Sequence, residues 1–192
     1  MNIMLFHSTY GLRPAVEAAA ERLRGAGHEV WTPDLFEGRV FDSVEAGRAY
    51  RDEVGLDELL KRAVLAAAPL SERGLVYAGF SLGAAFAQNL ALGDEKARGL
   101  LLLHGTFEIA EDASVDELPV QLHVADPDAF EPHDWLTAWY LRMGKAGADV
   151  EVHRYPGAGH LYTDPDLADY DEEAAERTWR VALGFLETLA ER

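Results

Sequence analysis

The chain has 192 residues, enough for one domain or two small ones. Apolar residues make up 48% and no low-complexity tract interrupts them, so a packed core is expected and long disorder is not. The 34 acidic residues against 17 basic ones leave a formal net charge of −17, a field that repels phosphate backbones and anionic lipid. Nucleic acid and membrane surfaces are therefore not expected partners. Cysteine is absent, which excludes disulfides, thiolate nucleophiles, iron–sulfur clusters and cysteine-bound zinc together. MNIMLF leads straight into His7 with no basic leader, and no apolar run reaches about 18 residues, so a cytoplasmic location is the expectation.

Short continuous apolar runs read as strands buried on both faces. They are Asn2–Phe6, His28–Trp31, Gly74–Phe80, Gly99–His104, Val120–Ala125 and Val150–Tyr155. Longer stretches with helical periodicity lie between them. Pro14 opens the first helix, which buries Val16, Ala19, Ala20 and Leu23 and stops at Gly25–Gly27. Ser43–Ala68 reads as helix with a break near Gly55, followed by helices at Gly83–Leu92, Pro132–Gly144 and Asp171–Ala190. Strand and helix alternate along the whole length, which predicts a single α/β domain over 1–192 with a mostly parallel sheet covered on both faces. Chemistry in such folds sits in loops at the carboxyl ends of the strands.

Gly79-Phe80-Ser81-Leu82-Gly83 fits G-x-S-x-G, and its context sharpens the signal. The apolar strand LVYAGF runs directly into Ser81 and the helix AAFAQNLAL follows. A turn this tight leaves no room for side chains two residues either side, which is the reason for the glycines. It also sets the hydroxyl near a helix N-terminus, whose free N–H groups favour developing negative charge. Serine at neutral pH needs a base, and on this fold the order is Ser, acid, His. Of seven histidines, His123 and His153 lie inside strands, His28 starts one and His133 opens a helix, while His7 and His104 end strands as supporting candidates. His160, in the loop Pro156-Gly-Ala-Gly-His160 beyond the last strand, has the required order and place. For the acid, Asp126 and Asp128 both follow the fifth strand; Asp128, past Pro127, is better placed to reach a neighbouring loop.

Four segments, HSTYGLRP, GFSLG, PVQLHVADPDAFEP and YPGAGHLY, resemble the dienelactone hydrolase family of the α/β-hydrolase superfamily, and the likeness is spread over nearly the whole chain. The resemblance implies a three-layer fold with trimmed N-terminal strands, Asp128 as the acid, and an oxyanion hole from the backbone N–H groups of Thr9 and Leu82. Acyl transfer through a serine ester requires no metal and no organic cofactor. The chain also departs from the family pattern. Ser81 stands where dienelactone hydrolases proper carry cysteine, Ser8 where they carry a glutamate, and Ala125 where glycine is usual before the acid. Their carboxylate-binding arginine past the histidine is missing from the Tyr162–Asp164 stretch.

Gly105–Leu118 is a short acidic loop, too small for a helical cap domain. Leu35–Tyr50, with Phe36, Phe41 and Tyr50, is expected to wall the pocket, and Tyr10, Trp135 and Tyr162 to add aromatic surface. Arg48 and Arg51 either bind a substrate carboxylate or pair with Glu45 or Asp52 on their own helix. The expected function is a serine hydrolase of small carboxylic esters or lactones, with thioesterase and acyl transferase or perhydrolase as alternatives on the same residues. A non-catalytic binding protein predicts a broken triad position, and none is broken; a metal-dependent hydrolase predicts an HExxH or His-x-His spacing, and none is present. The expected assembly is a monomer or homodimer.

Overall fold

A computed structural model describes residues 1–191. Strands β1 (Asn2–Phe6), β2 (Glu29–Trp31), β3 (Leu75–Phe80), β4 (Gly99–Leu103), β5 (Pro119–Asp126) and β6 (Asp149–Pro156) form one sheet in the order β2-β1-β3-β4-β5-β6. Every pairing is parallel, so the sheet expected to be mostly parallel is wholly so. The central strands are buried along their full length, which is why they read as unbroken apolar runs rather than alternating ones. Strand β4 ends one residue earlier than its apolar run, because His104 turns into the left-handed region at φ 65°.

The helices are α1 (Pro14–Gly25), α2 (Val44–Val54), α3 (Leu56–Ala67), α4 (Leu82–Gly93), α5 (His133–Lys145) and α6 (Glu172–Glu191), with a 3₁₀ segment at Ala68–Arg73 that continues α3. Pro14 occupies the first turn of α1, where its missing N–H leaves nothing unpaired. Ser43 caps α2, its Oγ accepting the Ala46 N–H at 3.2 Å. Gly55, at φ 88°, makes the break between α2 and α3. Alternate side chains of each strand divide the core. Met4, Tyr77, Leu102 and Leu122 face α3, α4 and α5, while Ile3, Val76, Leu101 and Leu103 face α1 and α6. Helix α4 is apolar nearly all round and sits wholly inside the first of these layers.

Register brings the loop ends together. Phe6 lies opposite Gly79 and Phe80 opposite Leu103, so the turns leaving β1, β3 and β4 stand level at one edge. Asp126 lies opposite Pro156, which sets the loop after β5 beside the one after β6.

Gly83 is packed hard against the end of β1: a Cβ there would collide with the carbonyl oxygens of Phe6, the last residue of the strand, and of His7 just beyond it. Backbone cannot move aside as a flexible side chain can, so Gly83→Ala is expected to cost about 1–3 kcal/mol or more by overpacking, read as a lowered urea midpoint. An unchanged midpoint would contradict this account of the contact.

Buried histidines make a second demand on the fold. His123 is fully buried in β5, with Tyr155 Oη and Gln121 Oε1 on its two ring nitrogens at 2.8 and 2.9 Å. Burial first, then the charges of His153 and Arg177, depresses its pKa to about 3. The unfolded chain takes up that proton below about pH 6.5 while the folded chain does not. Stability is therefore lost as pH falls from about 6.5 toward 3, at up to about 1.4 kcal/mol per pH unit for this one ring. His7 and His104 are depressed mainly by burial and act in the same direction. Urea midpoints should drop between about pH 7 and about pH 5, and His123→Gln should flatten that drop; identical pH slopes would remove the ring's contribution.

Candidate active site

Ser81 sits between β3 and α4 with φ 51° and ψ −108°, a backbone that side chains rarely adopt. Its N–H donates to the Leu103 carbonyl at 2.8 Å, and its own carbonyl accepts the Ala84 N–H at 2.9 Å. A Cβ on Gly79 would fall inside the Gly83 carbonyl, so both glycines of the motif are required by contact. Gly105 supplies a third close approach: a Cβ there would lie 2.9 Å from Ser81 Cα.

The loop beyond β6 carries His160 over this turn. Ser81 Oγ and His160 Nε2 are 2.9 Å apart, and His160 Nδ1 lies 2.7 Å from Asp128 Oδ2. The remaining Asp128 oxygen accepts the Phe130 N–H at 2.9 Å, so a carboxylate with no exposed side-chain surface has a partner on each oxygen. The imidazole is 13% exposed, enough to face a ligand. Phe130 packs on it with ring centroids 4.5 Å apart. Asp126 takes a different partner, bonding His133 Nε2 at 2.8 Å across a cis Asp126–Pro127 bond. Of the two acids left open by sequence, Asp128 is the one that meets His160.

Thr9 follows β1 and Leu82 opens α4, and both line the same cleft as Ser81. As the first residue of its helix, Leu82 has an N–H with no carbonyl a turn earlier to receive it. Ser8 Oγ accepts the Tyr10 N–H at 3.2 Å, shaping the turn that carries Thr9. His7, held neutral by burial, donates from Nδ1 to the Ser8 carbonyl and accepts the Leu35 N–H on Nε2. It thereby ties the 32–42 loop to the end of β1. Gly47, the buried residue of α2, lies against the Thr9 carbonyl, leaving no room for a Cβ.

The cleft holds about 430 Å³ and is bounded by Tyr10, by Val44, Arg48, Arg51 and Leu56, and by Phe107, Phe130 and Glu131. Of the six aromatics expected to line it, Tyr10 does. Phe36 does not, because it is fully buried, edge-on to His7 at 4.8 Å. Phe41 and Tyr50 pack against each other and against Phe36 instead of lining the cleft. Trp135 turns its Nε1–H onto Thr106 Oγ1 at 2.8 Å and lines a neighbouring depression with Trp139. Tyr162 is fully buried, bonded through its hydroxyl to Thr178. Arg51 pairs with Asp52 at 2.6 Å, whereas Arg48 lies over the Phe130 ring at 4.9 Å.

Sequence reasoning missed Phe130 and Glu131, both in the acidic loop beyond Asp128. It also missed Asp169, whose Oδ2 accepts the Leu161 N–H at 3.2 Å and steadies the residue after His160. A second cavity, about 180 Å³ between α1 and α6, is lined by Phe80 and Trp179 and does not reach Ser81.

The fold recurs in solved structures. A dienelactone hydrolase-like promiscuous phosphotriesterase from metagenomic libraries matches with a TM-score of 0.85 at 21% identity, over 98% of this chain and 86% of its own. The Thermogutta terrifontis esterase Est2, with propionate bound, matches with a TM-score of 0.76 at 16% identity, over 98% and 83%. Est1E of Butyrivibrio proteoclasticus, with ferulic acid bound, matches with a TM-score of 0.70 at 16% identity, over 100% and 90%. No curated protein matches the sequence. Among the described residues, no helix is long and apolar enough to cross a membrane. The model of one family spans residues 1–190, and by that match the chain belongs to the dienelactone hydrolase family.

Proposed function

We propose that the protein is a serine hydrolase that cleaves small carboxylic esters or lactones through an acyl-serine intermediate. One observation carries the reading: the unbroken hydrogen-bonded chain from Ser81 Oγ through the His160 ring to Asp128, open to a cleft at the serine end. His160 Nε2 takes the hydroxyl proton as Ser81 Oγ attacks the carbonyl carbon. Asp128 holds the tautomer with hydrogen on Nδ1 and stabilises the imidazolium that forms. The N–H groups of Thr9 and Leu82 receive the developing oxyanion, each worth about 3–4 kcal/mol of barrier. The imidazolium then protonates the leaving alcohol. Water, deprotonated by the same ring, attacks the acyl-serine and frees the acid.

Family membership supports this reading, as do the bound propionate and ferulic acid of the two esterases that share the fold. Cleft size favours substrates of modest bulk. Within the cleft, Arg48 has no carboxylate partner among the described residues, only the Phe130 face. Its charge favours a substrate that carries a carboxylate of its own.

Turnover of p-nitrophenyl acetate and labelling by a fluorophosphonate probe test the reading directly. Wild type should do both. Ser81→Ala should abolish labelling, and His160→Ala and Asp128→Asn should each lower kcat by about 10³-fold or more with the fold retained. Unlabelled, inactive wild type would count against the hydrolase, and greater damage from Asp126→Asn than from Asp128→Asn would reassign the acid. For Arg48→Ala, KM should rise about tenfold on the monoester of a dicarboxylic acid and change less than about twofold on a neutral ester. Equal effects on the two substrates would show that Arg48 reads no charge.

A further inference from the structure

Among the described residues, Asp128 and Glu131 are the only buried acids of a chain that has 34 in all. They lie three residues apart in one loop. Asp128 has its role beside His160, while the hydrolysis outlined above gives Glu131 none. Placing a carboxylate out of water is strongly unfavourable unless its oxygens are bonded. Glu131 spends both on one residue: Oε1 accepts the Thr106 N–H at 3.0 Å and Oε2 the Thr106 hydroxyl at 2.6 Å. Thr106 Oγ1 in turn accepts the Trp135 Nε1–H at 2.8 Å. Even so, burial outweighs these bonds and leaves the Glu131 acid weaker than an ordinary glutamate.

What Thr106 touches explains the arrangement. It follows Gly105, the residue packed against Ser81 Cα. The β4–β5 ladder runs only to Leu103 and His123, with a last backbone bond from the His104 N–H to the His123 carbonyl at 2.8 Å. Beyond that point the turn at 104–107 and the loop at 126–132 diverge from the sheet. The Glu131–Thr106 pair bridges them there.

We propose that Glu131 is a positioning residue for the reaction. Through Thr106 it ties the loop that carries Asp128 to the turn that presses on Ser81, and so fixes the imidazole held by the acid against the nucleophile. This rests on the hydrolase reading of Ser81.

The test compares Glu131→Gln, Thr106→Val and Thr106→Ser by steady-state hydrolysis of p-nitrophenyl acetate, fluorophosphonate labelling rate and thermal unfolding. Glutamine keeps one acceptor but turns an amide group toward the threonine hydroxyl. Valine removes the hydroxyl that bonds Oε2, and serine keeps both donors. Glu131→Gln and Thr106→Val should lower kcat and the labelling rate about 10- to 100-fold with KM within about twofold, as expected for a small displacement of reacting groups. Thr106→Ser should restore most of the rate. The double variant Glu131→Gln/Thr106→Val should be no slower than the slower single one, because both break the same link. Wild-type kcat in both single variants would overturn the proposal, as would a loss confined to KM, or a serine variant as slow as the valine one. Wild type that neither turns over ester nor labels would remove the hydrolase reading and this inference with it. Active wild type with unaffected variants would remove this inference alone.

Discussion

The whole site is built around a serine backbone held where side chains rarely go. At φ 51° Ser81 carries strain of about 1–3 kcal/mol, and its surroundings leave no alternative. The Leu103 carbonyl fixes its N–H, the α4 helix fixes its carbonyl, and Gly79 and Gly105 bring backbone into hard contact with the turn. Gly83 then seats the first turn of α4 against the end of β1, where the Thr9 turn begins. A displacement of any of these strands would be transmitted to the hydroxyl. The parallel register that levels Phe6, Phe80 and Leu103 at one edge is therefore a condition of the chemistry as well as of the core.

Charge is distributed on the same logic. The excess of acid that sets the net charge at −17 is solvated, and the two buried acids stand together beside the histidine that meets the Ser81 hydroxyl. Asp128 balances its burial with a bond to His160 and one to the Phe130 N–H. Glu131 has no cation in contact among the described residues and relies on neutral donors from Thr106. Burial, only partly offset by those bonds, leaves Glu131 less acidic than an ordinary glutamate. A neutral threonine stabilises a carboxylate less than an ion pair does, and it holds a backbone in place without competing for the imidazole.

Much of the fold was legible because burial on both faces of a parallel sheet leaves continuous apolar runs, as in Leu75–Phe80 and Gly99–Leu103. The Ser81 turn was legible for a steric reason, since glycines two residues either side are what the close backbone contacts demand. The order of serine, acid and histidine then singled out His160 from seven. Aromatics in loops gave no such guidance. Phe36 and Tyr162 lie in segments that border the cleft, yet both point inward, and no period in a loop says which way a ring turns. Glu131 was hidden for a related reason: a glutamate before a proline on an acidic surface looks like any solvated acid until Thr106, 25 residues earlier, is seen to meet it. The cleft face of α2 was equally hidden, because Arg48 and Arg51 differ only in which one Asp52 reaches.

The histidines show what separates a candidate base from its neighbours. His7, His104 and His123 are buried and held neutral. His7 and His123 spend both ring nitrogens on structure, and His104 spends its Nε2. His104 does so in the service of His160. Its Nε2 is bonded to Thr163 Oγ1 at 2.7 Å, and its ring stands edge-on to Tyr162 at 4.5 Å. Tyr162 reaches on to Thr178 in α6, and Asp169 takes the Leu161 N–H. Three consecutive residues after His160 are thus fastened, by an acid, a helix and a buried ring. A loop with glycines at 157 and 159 has little stiffness of its own, so these anchors supply the order that the glycines do not. Tyr162, one of the aromatics expected to contact substrate, instead anchors the loop that carries the imidazole, so its bearing on the site is through geometry rather than through binding.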